Sequence, residues 1–288
     1  MLHTLSVSST MAEQDDSHLG PFLATLDFVG KRLLGVLDHV GGVWYLLVDT
    51  VTWIVRSVTV KKVRVGRPAI VSQVVRIGVR SVFIISLVSG CVGLILALQM
   101  APPLDKFGSK DLVANITGVA IFRELGPLIA SIVLTGFAGA AIAAEIGTMV
   151  VGEEIEALEA HALNPVRFLV VPRVIAAVIS MTCLAVLADM VAVTAGWAMG
   201  VTALKIPSER YIQNMLDQVK LVDFVTGIFK ATVFGLLIGL IACTNGLRVT
   251  GGAAGVGNAT TSTVVQSIVA IVVADLIFTA IFYSLGWV

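Results

Sequence analysis

The chain has 288 residues, of which 57% are hydrophobic and only 13% are charged, and its formal net charge is zero. Soluble globular domains carry about 25% charged residues, so the composition excludes an ordinary soluble fold, and zero net charge gives no reason to expect a nucleic-acid partner. No charge lies between positions 80 and 105, within 125–144 or within 231–247. Since a bilayer crossing needs about 20 mostly apolar residues, and core helices of soluble proteins rarely need windows this long, we predict an all-α integral membrane protein.

The N-terminal quarter does not resemble a simple span. Residues 1–20 are polar and acidic and lack the basic and apolar regions of a signal peptide, so we expect a disordered lead-in. Residues 21–70 combine apolar positions at helical spacing with frequent charges and with Trp44, Tyr45 and Trp53. This pattern predicts one or two interfacial amphipathic helices, followed by a basic juxtamembrane run at 61–68.

Residues 71–288 predict a domain of about five transmembrane helices. The predicted spans are about 79–100, 112–146, 174–204, 224–247 and 263–286. The first should end at Pro102-Pro103, because proline pairs stop helices. The second is longer than one crossing and contains Arg123-Glu124 followed by Gly126-Pro127, which predicts a kink. Residues 151–173 should lie outside the membrane, and 245–258 should form a glycine-rich loop.

Basic residues predict the orientation. One side collects twelve lysines and arginines: Lys31, Arg32, Arg56, Lys61, Lys62, Arg64, Arg67, Arg76, Arg80, Arg167, Arg173 and Arg248. The other side has six: Lys106, Lys110, Lys205, Arg210, Lys220 and Lys230. The richer side should be cytoplasmic, which places the N-terminus in the cytoplasm and, after five spans, the C-terminus on the far side.

Two patterns concern packing and docking. Small residues that recur every four positions predict close helix packing; they are Gly136, Gly139, Ala143 and Gly147, and also Gly235 and Gly239. The segment 152–164 predicts a short helix in which Ile155, Leu158 and Ala162 lie opposite an acidic face. It is either a docking helix for a soluble partner or a solvated connector. Its proposed contact residues are Glu153, Glu154, Ile155, Glu156, Leu158, Glu159, Asn164 and Pro165.

Several motifs in order resemble the MlaE/YrbE family, the permease subunits of ABC transporters that move lipids together with MCE-domain proteins. They are the Phe-Arg-Glu-Leu-Gly-Pro run at 122–127, Ala-Glu-Ile-Gly-Thr-Met at 144–149, the glutamate-rich segment ending in Asn164-Pro165, Val-Pro-Arg at 171–173 and Asn245-Gly246. The resemblance covers roughly residues 72–282. One departure is Phe137, where the family usually has arginine, so any role for a cation there is in doubt.

The resemblance implies a homodimer of permeases, a cytoplasmic ABC ATPase beneath it and MCE subunits on the far side. Residues 1–20 are too acidic for a transit peptide, which favours a bacterial inner membrane. It also implies that 153–164 is the coupling helix. The chain itself has no G-x-x-x-x-G-K-[ST] loop, so ATP and magnesium should bind the partner, and this chain should need no cofactor. Its four histidines are scattered, so no metal site is expected.

Ionisable residues inside a membrane indicate function by default. The candidates for a lipid cavity are Arg123, Glu124, Asp275, Gln73 and Gln99. The resemblance places Arg123 near that cavity and the last span, which contains Asp275, along it. Gln73 and Gln99 flank the first span and could bind headgroups, but such residues are more often polar groups at helix interfaces. Arg123 either binds a lipid phosphate or neutralises Glu124, Glu145 or Asp275. Asp189 is a further candidate, although a helix-packing hydrogen bond would satisfy it equally.

Two other classes compete with the lipid permease. A proton-coupled secondary transporter would use the intramembrane carboxylates, but five spans fit two equal inverted halves poorly. An intramembrane enzyme would need a catalytic constellation, and the sequence has neither G-x-S-x-G nor H-E-x-x-H.

Overall fold

A computed structural model describes residues 21–59 and 66–287. All regular structure in these residues is helical. The α-helices are α1 Pro21–Thr59, α2 Arg67–Ile77, α3 Val82–Lys106, α4 Val113–Ala120, α5 Gly126–Leu134, α6 Ala140–Val151, α7 Glu154–Ala160, α8 Val171–Thr202, α9 Ser208–Gln218, α10 Leu221–Leu247 and α11 Gly252–Ser284. Short 3₁₀ turns precede α3 and α4, and π-helical turns lie at Ile121–Leu125, Thr135–Gly139 and Val166–Val170.

Six helical stretches in the described residues are long and apolar enough to cross a membrane. They are Gly30–Ser57, Arg67–Lys106, Lys110–Val151, Val166–Thr202, Leu221–Leu247 and Gly252–Ser284. The last five correspond to the predicted spans, so the prediction of an all-α membrane protein is confirmed. The remaining stretch, Gly30–Ser57, is part of α1, which is one continuous helix rather than two. Its interfacial position stays a prediction.

The chain divides into two compact units, one ending at Tyr45 and the other beginning at Leu46. In the first unit the structure describes only the N-terminal part of α1. The predicted lead-in at 1–20 and residues 60–65 of the predicted basic run lie outside the described residues. The second unit contains the rest of α1 and helices α2 to α11.

Helix α8 is the centre of the second unit, where α2, α3, α5 and α10 pack against it. Its buried face is built largely from alanine, glycine and serine. At the closest crossing Gly93 of α3 lies against the backbone of Ala192, where a Cβ atom at position 93 would overlap the α8 main chain. Small residues allow this approach because attraction between helices in lipid depends on close van der Waals packing.

Two boundary predictions were wrong. Helix α3 continues through Pro102-Pro103 to Lys106; proline removes a backbone donor, but its fixed φ is compatible with a final helical turn. The predicted glycine-rich loop at 245–258 is mostly helical, because α11 already begins at Gly252 after Gly251, whose positive φ of 84° suits glycine. The third membrane-length stretch begins at Val166, so helical structure already starts within 151–173; the position of that segment outside the membrane stays a prediction.

Candidate functional site

A buried lysine organises the most polar part of the second unit. Lys230 of α10 is 1% exposed. Its Nζ lies 2.7 Å from Glu124 Oε2 and 2.9 Å from Asp275 Oδ1, and it donates to Thr279 Oγ1 at 2.9 Å. A lysine is almost never fully buried unless it is paired, and here two carboxylates provide the pairing.

The same group is closed by a second hydrogen bond. The Thr279 hydroxyl donates to Glu124 Oε1 at 2.9 Å. Asp275 and Thr279 are four residues apart on α11, so they share one face of that helix. Glu124, Lys230, Asp275 and Thr279 therefore join the π-helical turn Ile121–Leu125, α10 and α11; we call these four residues the lysine cluster.

Arg123 has a different partner from those considered in the sequence. Its Nε donates to Asp223 Oδ1 at 2.5 Å, and Asp223 is buried. Asp223 Oδ2 also accepts the backbone N–H of Lys220 at 2.8 Å, which caps the start of α10. The proposed partners Glu124, Glu145 and Asp275 were therefore wrong for Arg123. Its terminal NH₂ groups have no acceptor among the described residues and stay free for a ligand.

A cavity of about 540 Å³ lies beside both groups. Its lining residues are Leu112, Asn115, Ile116, Val119, Ala120, Arg123, Glu124 and Gln218. Four of the eight lining residues come from α4. The wall is mostly apolar in area, Asn115 and Gln218 add amide groups, and Arg123 and Glu124 supply the charges. Of the predicted cavity residues, Gln73 on α2, exposed Gln99 on α3 and Asp275 do not line this space. Asp275 reaches it only through Lys230 and Glu124.

A second ionic group joins three helices. Glu145 of α6 pairs with Arg76 of α2 at 2.8 Å and with Arg173 of α8 at 2.9 Å. Arg173 is buried and also donates to the Leu169 carbonyl at 2.8 Å. Both arginines were counted as loop charges in the sequence, but each holds a helix against α6.

The predicted docking segment contains a shorter helix than expected. Helix α7 covers only Glu154–Ala160, because Glu153 and Ala162 have positive φ angles and lie outside it. The acidic side chains of Glu153, Glu154, Glu156 and Glu159 are exposed, whereas Ile155 and Leu158 are half-buried. Beyond the helix, Asn164 Oδ1 accepts the N–H of Arg167 at 3.2 Å, and Pro165 follows. The segment presents an acidic face, as the sequence predicted.

The small residues predicted for packing lie in different surroundings. Gly139 approaches Ile238 and Thr263, Gly147 approaches Val249 and Val256, and Gly235 and Gly239 lie against α8. Ala143 is buried. Gly136 is exposed, and no other described helix comes within 4 Å of the place a Cβ would take, so it packs against none of them. Phe137 beside it is 44% exposed.

Asp189 is separate from the lysine cluster. It is 2% exposed and approaches Gly126 so closely that a Cβ atom there would collide with its carboxylate. Its Oδ1 has no hydrogen-bond partner in the part of the chain that the structure describes. The helix-packing hydrogen bond considered for it is therefore not made by this oxygen.

Sequence reasoning missed Lys230, Asp223 and Thr279. Lys230 was counted among the basic residues of the far side, although it lies near the start of the predicted span 224–247. A signal was present: Asp223 and Lys230 are seven residues apart, so both lie on one face of α10. Asp275 and Thr279 are four residues apart and likewise lie on one face of α11. Only the fold shows that these two faces meet.

Six membrane-length helices and a charged, mostly apolar-walled cavity define a multi-pass membrane protein of the transport class. Comparisons with known proteins agree. The family model for "Permease MlaE" matches residues 70–281. The chain is 37% identical over 215 residues to a probable ABC transporter permease protein of Rickettsia typhi, covering 75% of this chain and 83% of the relative.

Two further relatives extend the range of organisms. The intermembrane phospholipid transport system permease protein MlaE of Haemophilus influenzae is 30% identical over 259 residues, covering 90% of this chain and 97% of that protein. The chloroplastic protein TRIGALACTOSYLDIACYLGLYCEROL 1 of Arabidopsis thaliana is 32% identical over 212 residues, covering 74% and 61%. The chain belongs to the MlaE permease family, and it is a transport protein rather than an enzyme.

Proposed function

We propose that this chain is the membrane subunit of an ABC transporter that moves phospholipid or a related lipid. The observation that carries the proposal is the cavity of about 540 Å³, whose wall is mostly apolar and carries Arg123 and Glu124 as its charged residues. Such a space suits a molecule with acyl chains and a charged headgroup. The phospholipid system named for the Haemophilus influenzae relative supports the same substrate class.

Arg123 is suited to bind a lipid phosphate. Asp223 holds its Nε and thereby fixes the guanidinium, while the terminal nitrogens stay available. Two parallel N–H donors match two phosphate oxygens, which gives a strong, oriented contact. Glu124 adds a carboxylate at the same wall, and its other contacts connect it to Lys230 and Asp275. Any movement that separates Glu124 from Lys230 and Asp275 would therefore release the lipid.

Energy would come from a cytoplasmic ATPase, since the sequence has no phosphate-binding loop. ATP and magnesium would bind that partner. Its docking surface would be the acidic segment 152–164, directly connected to α6, and the pairs of Glu145 with Arg76 and Arg173 would transmit movement to α2 and α8. A state change of this kind moves a lipid only if the cavity binds it differently in the two states.

The remaining assembly rests on the family resemblance. We infer a homodimer of permeases in a bacterial inner membrane, with MCE-domain proteins on the far side. The segment 152–164 and the N-terminus would face the cytoplasm and the C-terminus would face the far side. If α1 crosses the membrane instead of lying at its surface, only the side of the N-terminus changes.

Lipid transfer between vesicles by the assembled transporter tests the substrate. We expect Arg123→Ala to lower ATP-dependent transfer of a fluorescent phospholipid at least tenfold without disturbing assembly. Arg80→Ala is the matched control, because Arg80 is exposed on the same chain and lies far in sequence from the cavity residues. Full transfer by Arg123→Ala would remove Arg123 from the lipid path.

The docking assignment needs its own test. Charge reversal of Glu153, Glu156 and Glu159 to lysine should abolish co-purification of the ATPase or uncouple its hydrolysis from transfer. The control is charge reversal of three acids far from the docking segment: Asp105 at the end of α3, Asp111 before α4 and Glu209 at the start of α9. Transfer driven by a proton gradient in a preparation without any ATPase would contradict the proposal and favour the secondary transporter.

A further inference from the structure

A second charged site lies away from the cavity, where the end of α1 meets the turn after the docking segment. The guanidinium carbon of Arg56 lies 5.4 Å from the centroid of the Trp53 ring, and that of Arg167 lies 5.9 Å from the same centroid. Arg167 also lies 5.2 Å from the ring of Phe168. Two cations are therefore held at one indole; we call Trp53, Arg56 and Arg167 the indole site.

The indole site leaves hydrogen-bonding capacity unused. A cation–π contact occupies the face of a guanidinium, whereas its N–H donors point outward from the edge. No carboxylate of the described residues pairs with Arg56 or Arg167, in contrast to the paired Arg76, Arg123 and Arg173. Both guanidinium carbons lie within 5.9 Å of the same ring centroid, so an anion beside that ring would be attracted by both charges.

The surroundings indicate the source of that anion. Arg56 lies in the last turn of α1, at the end of a stretch long and apolar enough to cross a membrane. Val51, Val55 and Phe168 nearby are 48%, 56% and 44% exposed. Tryptophan and arginine beside exposed apolar side chains are typical of the membrane–water boundary. In the sequence, Lys61, Lys62 and Arg64 follow directly.

We propose that the indole site binds the phosphate of an anionic phospholipid of the adjacent leaflet, separately from the transported lipid. Arg56 and Arg167 donate to the phosphate oxygens, and the Trp53 ring holds both guanidinium groups beside it. Since Arg167 follows Pro165 at the end of the docking segment, a bound lipid fixes that segment to the end of α1. Membrane composition then affects the docking surface without any change in the cavity.

The experiment measures lipid bound to the full-length protein, purified with its partners, by native mass spectrometry. Phosphatidylglycerol is the probe, phosphatidylcholine is the neutral competitor, and inorganic phosphate is the free-anion competitor. Each surface arginine near an anionic lipid contributes about a fivefold factor in affinity. We therefore expect Arg56→Gln with Arg167→Gln to weaken phosphatidylglycerol binding about 25-fold, and Arg80→Gln to leave it unchanged.

Two further variants separate the site from a folding defect and from the cavity. Arg56→Lys with Arg167→Lys keeps both charges and should retain most of the phosphatidylglycerol binding. Arg123→Ala should remove lipid held in the cavity and lower transfer, whereas the double glutamine variant should remove a separate, additive population of bound phosphatidylglycerol. Failure of the proposed function and failure of this site therefore give different results.

Three outcomes would overturn the proposal. The first is unchanged phosphatidylglycerol binding in the double glutamine variant. The second is equal displacement by phosphatidylcholine or by millimolar inorganic phosphate, which would indicate no anionic-lipid selectivity or a free-anion site. The third is loss of the ATPase from the double glutamine variant with phosphatidylglycerol binding unaffected, which would indicate a protein contact.

Discussion

Replacing Lys230 by methionine removes the only cation of the lysine cluster and keeps a side chain of similar length. Glu124 and Asp275 then face each other without the Nζ that lies 2.7 and 2.9 Å from their oxygens. Breaking a buried ion pair by removing one partner costs about 3–5 kcal/mol. Because the Glu124 side chain is 34% exposed and partly solvated, we expect the lower end, about 3 kcal/mol.

The measurement is equilibrium unfolding in mixed micelles, followed by tryptophan fluorescence. A loss of about 3 kcal/mol corresponds to about a 100-fold change in the folding equilibrium. Lys106→Met is the control for removing a lysine, since Lys106 is exposed at the end of α3. It should change stability by less than about 0.5 kcal/mol.

A compensated variant separates charge from packing. Glu124→Gln, Lys230→Met and Asp275→Asn together remove all three charges, and replacing a whole buried ionic group by neutral residues is often tolerated. We expect this triple variant to regain most of the stability while lipid transfer stays low. The reasoning is refuted if Lys230→Met is as stable as Lys106→Met, or if the triple variant is less stable than Lys230→Met alone.

Three further predictions concern the supports of the site. Glu145→Gln should destabilise the protein by about 1.5–3 kcal/mol, because buried Arg173 loses its carboxylate partner. Arg76→Gln should cost under about 1 kcal/mol, because the Arg76 side chain is 49% exposed. Equal effects of the two variants in the unfolding assay would contradict this. Gly93→Ala should cost about 1–3 kcal/mol through overlap with the Ala192 backbone, and Gly90→Ala, whose Cβ would lie 3.5 Å from Val191, should be close to neutral in thermal unfolding. Asp223→Asn keeps an acceptor for the Lys220 N–H but removes the charge that fixes Arg123. Lipid transfer should therefore fall several-fold, while circular dichroism shows α10 intact. Unchanged transfer would mean that Asp223 does not position Arg123.

Hydropathy was sufficient for the helices because the uncharged windows are long and each must lie in lipid. The five spans after residue 66 agree with the predicted ones in number and order, although not at their ends. The ends failed where proline and glycine were taken as stop signals. Pro102-Pro103 and the glycines at 252, 255 and 257 all lie within helices, because the bilayer makes an internally hydrogen-bonded backbone more important than local propensity.

The site could be predicted only in part. Arg123 and Glu124 were found because charges are unusual inside a span, and both line the cavity. Asp223 and Lys230 were missed because charges near a span end normally reach solvent, and nothing local distinguishes a buried lysine from an exposed one. Its partners Glu124 and Asp275 come from distant helices. The pairing of Arg76 and Arg173 with Glu145 was missed for the same reason.

The central claim is that a phospholipid occupies the cavity beside Arg123. A photo-crosslinking amino acid at Val119, which lines the cavity, tests this directly in the assembled transporter, with the same group at Phe83, which is 78% exposed on α3, as the control for bulk lipid. We expect a phospholipid adduct at position 119 that falls at least tenfold with Arg123→Ala, while the adduct at position 83 stays constant. The account would be contradicted by the absence of an adduct at position 119, or by an adduct whose yield is unchanged in the Arg123→Ala variant.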